Sequence, residues 1–377
     1  MATATKQDYK VVSADDHMDM TTLPPKLWEE RLPTNWRARA PKVVPEPTGN
    51  IWMVDGKPLG PSGRPKQGTY VPSAIERAGI QDSGFRPSTP ELRLQDMDRD
   101  GVYSHIIYGP PTGIRVDDQA LKAECLKVYN DWSHEFNGVD PDRLSLLAYL
   151  PMHDPKAAAD ELRRVAKLNI KGAISSYFEA GVPVYEDAWE TLWQAAGDTQ
   201  IPLSFHLGGG LHTINPTKTS MVGSWKIRVF AAVSPMQLDE GLAIMVFSGA
   251  LDRHQKMKLV LGESGLGWVP YVLERMDKEF HNHKVKDITL SALPSEIFRR
   301  QCYATFEDDH LGIKLISYIG ANNVMWASDY PHPDSTFPHS QKVIKEVFEG
   351  CDAETTRKVV CENAAKLYKV KGAGVKI

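Results

Sequence analysis

Several features that mark particular classes of protein are scarce in this sequence. Only four of its 377 residues are cysteine, and Cys125, Cys302, Cys351 and Cys361 are scattered without a Cys-x-x-Cys pair. This spacing argues against a disulfide framework and predicts reduced thiols in a cytoplasmic protein. We also find no internal repeat and no low-complexity tract, which argues against a repeat architecture.

Neither the net charge nor the apolar runs of the sequence indicate binding to a nucleic acid or to a membrane. The formal net charge is −4 at pH 7, which offers no basic surface for nucleic acid or for an anionic membrane. Residues 1–10 lack an apolar signal core, and no run approaches the length that spans a bilayer. The 42% hydrophobic and 24% charged residues are typical of a globular protein with a sizeable core.

Strand-like apolar runs alternate with helical stretches along most of the chain. The first predicted strand covers residues 9–14, and the others cover residues 103–108, 144–150, 171–176, 201–206, 257–262, 301–306 and 324–328. Each of these eight runs is followed by a helix or a helical stretch, and such alternation indicates a parallel sheet with helices outside it. Eight units predict an α/β fold, a closed (β/α)8 TIM barrel.

A long segment rich in proline and glycine follows the first strand. It covers residues 21–90, and a loop of this length without structure is unusual in a compact domain unless it has a function. We expect an irregular insertion that covers the site, within a single domain of residues 1–377. Inside it, Val-Asp-Gly-Lys at 54–57 predicts a β-hairpin.

Four of the predicted strands end in side chains that bind metals or carry protons. Asp15 and His17 follow the first strand, and residues i and i+2 of an extended chain point to the same side. His206 ends the fifth strand, Glu263 follows the sixth and Asp329 follows the eighth. Active sites of (β/α)8 barrels lie at the carboxyl ends of the strands, so these side chains are expected to form one site.

Longer motifs along the chain carry a resemblance to a known family. They are Ser-Ala-Asp-Asp-His at 13–17, Leu-Gln-Asp-Met-Asp-Arg-Asp-Gly-Val at 94–102, Tyr-Asn-Asp-Trp at 129–132, Asp-Pro-Asp-Arg-Leu at 140–144, Leu-Pro-Met-His-Asp-Pro at 150–155, Phe-His at 205–206, Gly-Glu-Ser-Gly-Leu-Gly-Trp-Val-Pro at 262–270, Ala-Ser-Asp-Tyr-Pro-His at 327–332 and Glu-Asn-Ala-Ala-Lys-Leu-Tyr at 362–368. With these motifs the chain resembles the amidohydrolase superfamily. The similar branch is the one that includes aminocarboxymuconate semialdehyde decarboxylase and the hydroxybenzoate-type decarboxylases.

The resemblance implies one catalytic divalent metal ion. Mapped by motif, its ligands are Asp15, His17, His206 and Asp329, with an acid at position 15 where the more common family motif has a histidine. Two carboxylates and two imidazoles suit Zn²⁺, Mn²⁺ or Fe²⁺. His332, three residues after Asp329, is a candidate for the outer shell of the metal or for a simple turn cap.

Glu263 departs from the decarboxylases of this branch, which carry a catalytic histidine after strand six. The predicted catalytic residues are Asp329, Glu263 and His206. Asp329 would accept a proton as metal-activated water attacks a carbonyl, and Glu263 would protonate the leaving group. Arg275 and Arg228 are candidates for the cation that an anionic substrate would need. The absent histidine and the number of acids favour hydrolysis of an amide, an ester or a carbon–carbon bond.

Two other functions stay open. In a decarboxylase, a protonated Asp329 would donate to the carbon that loses carbon dioxide from an aromatic or unsaturated acid. A barrel that binds a ligand without catalysis would be marked by the loss of a metal ligand, and none is lost outright. In each case the expected partner is a small molecule, with no nucleic acid and no membrane. The resemblance also implies a homo-oligomer, a dimer or a tetramer.

Overall fold

The strands lie in three sheets. A computed structural model describes residues 9–66, 70–111, 113–208, 211, 213–214 and 223–377 of the chain. In chain order its strands are β1 (Val12–His17), β2 (Lys42–Glu46), β3 (Gly49–Val54), β4 (Lys57–Pro61), β5 (Ser104–Tyr108), β6 (Leu144–Leu146), β7 (Ala148–Tyr149), β8 (Ala173–Ile174), β9 (Leu203–His206), β10 (Leu259–Gly262), β11 (Cys302–Phe306) and β12 (Val324–Trp326). All of them except β2–β4 run parallel to their neighbours.

Helices fill most of the connections between the strands. The α-helices are α1 (Leu27–Arg31), α2 (Thr34–Arg37), α3 (Ala74–Arg77), α4 (Pro90–Asp100), α5 (Gln119–Gly138), α6 (Pro155–Lys167), α7 (Glu190–Thr199), α8 (Lys226–Val233), α9 (Leu238–Phe247), α10 (Ala250–Arg253), α11 (Val269–Asn282), α12 (Pro294–Gln301), α13 (His310–Lys314), α14 (Ile316–Ile319), α15 (Ser340–Val347), α16 (Ala353–Arg357) and α17 (Asn363–Leu367). Short 3₁₀ turns cover Arg86–Ser88, Tyr177–Glu179, Asp187–Trp189, Ser234–Gln237 and Ala321–Asn323, and Lys358–Glu362 is a π-helix.

The parallel strands form a closed ring of eight positions. The order β1–β5–β6 continues into β7–β8–β9–β10–β11–β12, because only Leu147 separates β6 from β7 and its N–H donates to the carbonyl of Ile107 at 2.9 Å. Beyond β12, the N–H of Asp329 donates to the carbonyl of Asp15 at 3.0 Å and closes the ring against β1. The predicted (β/α)8 barrel is therefore confirmed.

The pairing register of the strands places the predicted site residues at the same end of the barrel. His206 pairs with Gly262, the residue before Glu263, and His17 of β1 pairs with Tyr108 of β5. β1 lies three residues further along the chain than its apolar run indicated, since it covers residues 12–17 and includes Asp15 and His17, which are both buried. A prediction from apolar runs missed the end of this strand because its residues are polar and yet buried inside the barrel.

Local signals in the sequence set several element ends as expected. The side chain of Asp154 accepts a hydrogen bond from the N–H of Ala157 at 2.9 Å, with Pro155 in the first turn of α6. Gly101 ends α4 in the left-handed conformation, with φ of 72°. These ends depend on residues close in sequence, so the sequence alone predicted them.

The segment of residues 21–90 is more regular than expected. It contains the antiparallel sheet β2–β3–β4 and the short helices α1, α2 and α3. The predicted hairpin joins β3 to β4 through Asp55 and Gly56, whose φ values of 46° and 78° suit a tight two-residue turn. Trp52 anchors this sheet, because its indole N–H donates to the carbonyl of Met20 at 2.8 Å and its ring meets Trp28 edge-on at 4.9 Å.

One helical stretch corrects the expectation that no run has the length of a membrane span. Lys226–Phe247 is long and apolar enough by length and composition, with a mean hydropathy of 1.3 over its best window. The 3₁₀ turn at Ser234–Gln237 interrupts it, and buried residues of α9 such as Leu242 and Met245 pack in the hydrophobic core. None of the residues of α8 is buried.

Replacing Trp52 by alanine should destabilise the protein. Trp52 is fully buried, so the Trp52→Ala variant should lose about 3–5 kcal/mol of unfolding free energy in urea. Trp225, which is 66% exposed, provides the matched control, and Trp225→Ala should change stability by less than about 0.5 kcal/mol. Equal losses in the two variants would show that the sheet does not depend on Trp52.

Candidate metal centre

Five side chains from four strand ends meet at the mouth of the barrel. Asp15 and His17 belong to β1, His206 ends β9, Glu263 follows β10 and Asp329 lies three residues beyond β12. All five positions were identified from the sequence, and the fold brings all five together. Four of them are at most 4% exposed, whereas the Glu263 side chain is 19% exposed.

Their polar atoms approach one another closely. The Nε2 atom of His17 lies 3.5 Å from Oδ1 of Asp15 and 3.0 Å from Oδ1 of Asp329. The Nε2 atom of His206 lies 3.4 Å from the same Asp15 oxygen and 3.4 Å from Oε2 of Glu263. Oxygen and nitrogen atoms of five side chains therefore face one small volume.

These converging atoms have no hydrogen-bond partner. The unpartnered atoms are Oδ1 of Asp15, Nε2 of His17, Nε2 of His206, Oε2 of Glu263 and Oδ1 of Asp329. A buried polar atom without a partner costs about 1–3 kcal/mol, so five at one point call for a cation. Imidazole nitrogens and carboxylate oxygens are donors that Zn²⁺, Mn²⁺ and Fe²⁺ accept, and the residues fit such an ion.

Two of these residues have strained backbones. Glu263 and Asp329 have φ values of 51° and 55°, in the left-handed region that side chains other than glycine adopt at a cost of about 1–3 kcal/mol. Each of the two residues follows a barrel strand, and its left-handed conformation turns the backbone abruptly away from the direction of that strand. Such strain is typical of functional sites, where it fixes the direction of a side chain.

Thr305 connects two of the five side chains. Its hydroxyl donates to Oδ2 of Asp15 at 2.7 Å and accepts the N–H of Glu263, also at 2.7 Å. The same N–H also lies 2.7 Å from Oδ2 of Asp15. Thr305 lies in a predicted strand, and a threonine in a strand carries no specific signal for this role.

His332 lies directly beside the five converging side chains. Its ring stacks on that of His17 at 3.8 Å between centroids, and its Nδ1 lies 3.0 Å from Oδ1 of Asp329. Its Nε2 lies 3.1 Å from Oδ2 of Asp19, a residue that sequence analysis missed. His332 was one of the candidates for the outer shell of a metal, and its contacts agree with that role.

A buried arginine holds β1 from the outer side of the barrel. Arg93 is fully buried, and its guanidinium donates to the carbonyls of His17 at 3.0 Å and Pro87 at 3.2 Å. Asp16, which points away from the five side chains, accepts hydrogen bonds from the hydroxyl of Ser328 and the N–H of Tyr330. Neither residue was identified from sequence, because each lies among other charged residues and its partners are distant in the chain.

Three of the five side chains, those of His206, His17 and Glu263, have shifted pKa values in the absence of metal. Burial lowers the pKa of His206, but the carboxylates of Asp15 and Glu263 outweigh burial and raise this pKa to about 9. Burial and the adjacent His332 lower the pKa of His17 well below its usual range. Burial and the carboxylate of Asp329 raise the pKa of Glu263 well above its usual range. At neutral pH protons therefore occupy part of this volume.

Two expected cations lie elsewhere. Arg275 is about half exposed and pairs with Glu279 on α11, and Arg228 is exposed on α8. Both predictions are wrong, because these helices turn the two side chains to the protein surface. Most of residues 207–218, a glycine-containing segment that follows the fifth strand, lies outside the described residues.

Binding of a divalent ion to the metal-free protein should release protons. His206 is protonated at pH 7 because its pKa of about 9 lies above that pH, whereas ligation requires the neutral ring. We expect at least about one proton released per ion at pH 7, and an affinity that rises up to about tenfold per pH unit between pH 7 and 8.5. Calorimetric titration in two buffers with different ionisation heats measures this release, and a value near zero would contradict it.

Removing the hydroxyl of Thr305 should weaken metal binding without unfolding the barrel. Thr305→Val loses the hydrogen bonds to Asp15 and Glu263, and loss of such a supporting contact costs about 10–100-fold in metal affinity. Thr305→Ser keeps the hydroxyl and serves as the matched control. Dissociation constants for Mn²⁺ that agree between the two variants would rule out this supporting role.

Comparisons with known proteins place the chain in a family. The profile described as "Amidohydrolase" matches residues 84–370. A gamma-resorcylate decarboxylase from Polaromonas sp. strain JS666 is 28% identical over 291 residues, which cover 68% of this chain and 85% of the relative.

Solved structures share the fold over nearly the whole chain. An amidohydrolase from Mycobacterium avium subsp. paratuberculosis K-10 has a TM-score of 0.74 at 19% identity and covers 96% of this chain and 100% of its own. A dihydroxybenzoic acid decarboxylase from Polaromonas sp. JS666, solved with manganese and 2-nitroresorcinol, has a TM-score of 0.62 at 18% identity, with 98% and 100% covered. The resemblance to the decarboxylase branch is confirmed, and the chain belongs to the amidohydrolase family of enzymes.

Proposed function

We propose that this protein is a metal-dependent, non-oxidative decarboxylase of a small aromatic acid, such as a hydroxybenzoate. One observation of the structure carries the proposal: unpartnered oxygen and nitrogen atoms from four strand ends converge on one volume. The relatives that favour this reaction are named decarboxylases. The expectation that hydrolysis is the main reaction has no support from them.

The proposed site holds one divalent ion on Asp15, His17, His206 and Asp329. Mn²⁺ is the first ion to test, because a similar structure was solved with it. When bound, such an ion acts as a Lewis acid that polarises the oxygens of a substrate and fixes its orientation. The side chains of the protein must meet the remaining requirements of the reaction.

Decarboxylation requires one proton at the ring carbon that loses its carboxylate. The bond between that carbon and the carboxylate breaks, carbon dioxide leaves, and the electron pair left on the carbon takes up a proton. Asp329 is the proposed donor. Its two oxygens lie 3.0 and 3.1 Å from Nδ1 of His332, from which it can regain a proton.

His332 is suited to hold that proton. Burial lowers its pKa, but the carboxylates of Asp329 and Asp19 outweigh burial and raise its pKa well above the usual range. The imidazolium lies between the two acids, with Asp19 at Nε2 and Asp329 at Nδ1. It also supplies the positive charge that Arg275 and Arg228 do not bring to the site.

We also propose a small-molecule substrate and a dimer or tetramer as the state of the protein. The helix α8 supports association, because none of its residues is buried although most of them are apolar. Size-exclusion chromatography with light scattering measures the assembly directly.

The reaction is tested with Mn²⁺-loaded protein and gamma-resorcylate or other hydroxybenzoates in D₂O. We expect release of carbon dioxide and one deuterium at the carbon that lost the carboxylate. Asp329→Asn should lower kcat by about 10²–10⁴-fold, the range for a general acid, with the metal content checked in each sample. Asp98→Asn, at an exposed acid paired with Arg143, serves as the control. Turnover of an amide, ester or β-diketone panel without carbon dioxide release would instead establish hydrolysis.

A further inference from the structure

Glu263 faces the ligand atoms of both histidines. Its Oε2 lies 3.4 Å from Nε2 of His206 and 3.7 Å from Nε2 of His17. If two donor atoms each lie about 2.1 Å from one ion and the donor–ion–donor angle is a right angle, the donors lie about 3.0 Å apart. Three pairs among the four expected ligands, Asp15–His17, His17–Asp329 and Asp15–His206, lie between 3.0 and 3.5 Å apart, so Glu263 is spaced from the two histidines nearly as these pairs are.

The tautomer of His206 bears on the same contact with Glu263. Its Nδ1 lies 2.8 Å from the carbonyl of Leu207, which can only accept a hydrogen bond, so Nδ1 carries the hydrogen. In the neutral ring, Nε2 then presents a lone pair toward Oε2 of Glu263, which also presents lone pairs. Only a cation between the two atoms, either a proton or a metal ion, makes this arrangement favourable.

The backbone leaves Glu263 little freedom to turn elsewhere. Its N–H is held by Asp15 and Thr305, and its φ is 51°. The preceding residue must be small, since a Cβ on Gly262 would lie 2.6 Å from the His206 ring. The backbone of Glu263 is therefore held next to Asp15, and from there its carboxylate lies toward both histidines.

We propose that Glu263 is a fifth ligand of the metal ion, in addition to Asp15, His17, His206 and Asp329, and not the carrier of the substrate proton. The inference rests on the proposed metal centre, but it holds for hydrolysis and decarboxylation alike. It assigns proton transfer to Asp329 and His332.

Five protein ligands have consequences for the choice of ion and substrate. Structural Zn²⁺ sites are almost always four-coordinate, whereas Mn²⁺ accepts six donors. A six-coordinate ion held by five protein atoms keeps one position, so the substrate would bind it through one oxygen. Three carboxylates also offset the charge of the ion, which disfavours substrates carrying several negative charges.

The experiment compares metal binding by the wild type with that by Glu263→Gln and Glu307→Gln. Glu307 directly follows β11 as Glu263 directly follows β10, and burial and the charge of Asp329 also raise its pKa well above the usual range. It has no atom among the unpartnered ones. It therefore serves as the matched control for loss of an acid close to the ion without loss of a ligand.

Mn²⁺ is titrated into each metal-free protein and followed by electron paramagnetic resonance of the free ion. We expect the dissociation constant to rise at least about 100-fold in Glu263→Gln, beyond the effect of losing a supporting contact, and less than about tenfold in Glu307→Gln. A crystal structure of the Mn²⁺-loaded wild type should show five nitrogen or oxygen ligands from the protein. This second measurement needs no variant, so a folding defect cannot obscure it.

The outcomes separate the two proposals. A wild type that binds neither Mn²⁺ nor Zn²⁺ would overturn the proposed metal centre and this inference with it. A wild type that binds metal, with equal small losses in the two variants and a crystal structure with four protein ligands on the ion, would overturn the role of Glu263 alone. Melting temperatures of the metal-free variants provide the check on folding.

Discussion

The crowding of lone pairs at the mouth of the barrel is the constraint on which the rest of the site depends. Two imidazole nitrogens and three carboxylate oxygens face one another there, and none of these five atoms has a hydrogen-bond partner. Acids in such proximity repel one another, and burial strengthens that repulsion. A cation must lie among them, and the raised pKa of His206 shows that a proton takes this place when no metal does.

Residues around this cluster hold it in place against its own repulsion. Thr305 joins the carboxylate of Asp15 to the backbone of Glu263, and Arg93 donates to the carbonyl of His17 from the outer side of β1. His332 stacks on His17 while it contacts Asp329. These hydrogen bonds hold side chains and backbone alike. They therefore stabilise the strained conformations of Glu263 and Asp329, although neither residue is glycine.

Hydrolysis and decarboxylation make different demands on the same metal ligands. Both need a polarised substrate, but only decarboxylation must deliver a proton to carbon. In the proposed decarboxylase, the contacts Asp19–His332–Asp329 would supply that proton. Under that proposal, the histidine that follows strand eight would provide the imidazolium in place of the strand-six histidine.

The sequence by itself determined the barrel, the tight turn at Asp55 and Gly56, the ends of α4 and α6, and the five side chains that meet at the strand ends. These features follow from residues close in the chain or from the rule that parallel strands end on one side. Tertiary structure alone decided the roles of Thr305, Asp19 and Arg93, the outward direction of Arg275, and the aim of Glu263 toward the histidines. Each depends on the direction of a side chain toward partners distant in sequence, which periodicity and local motifs do not specify.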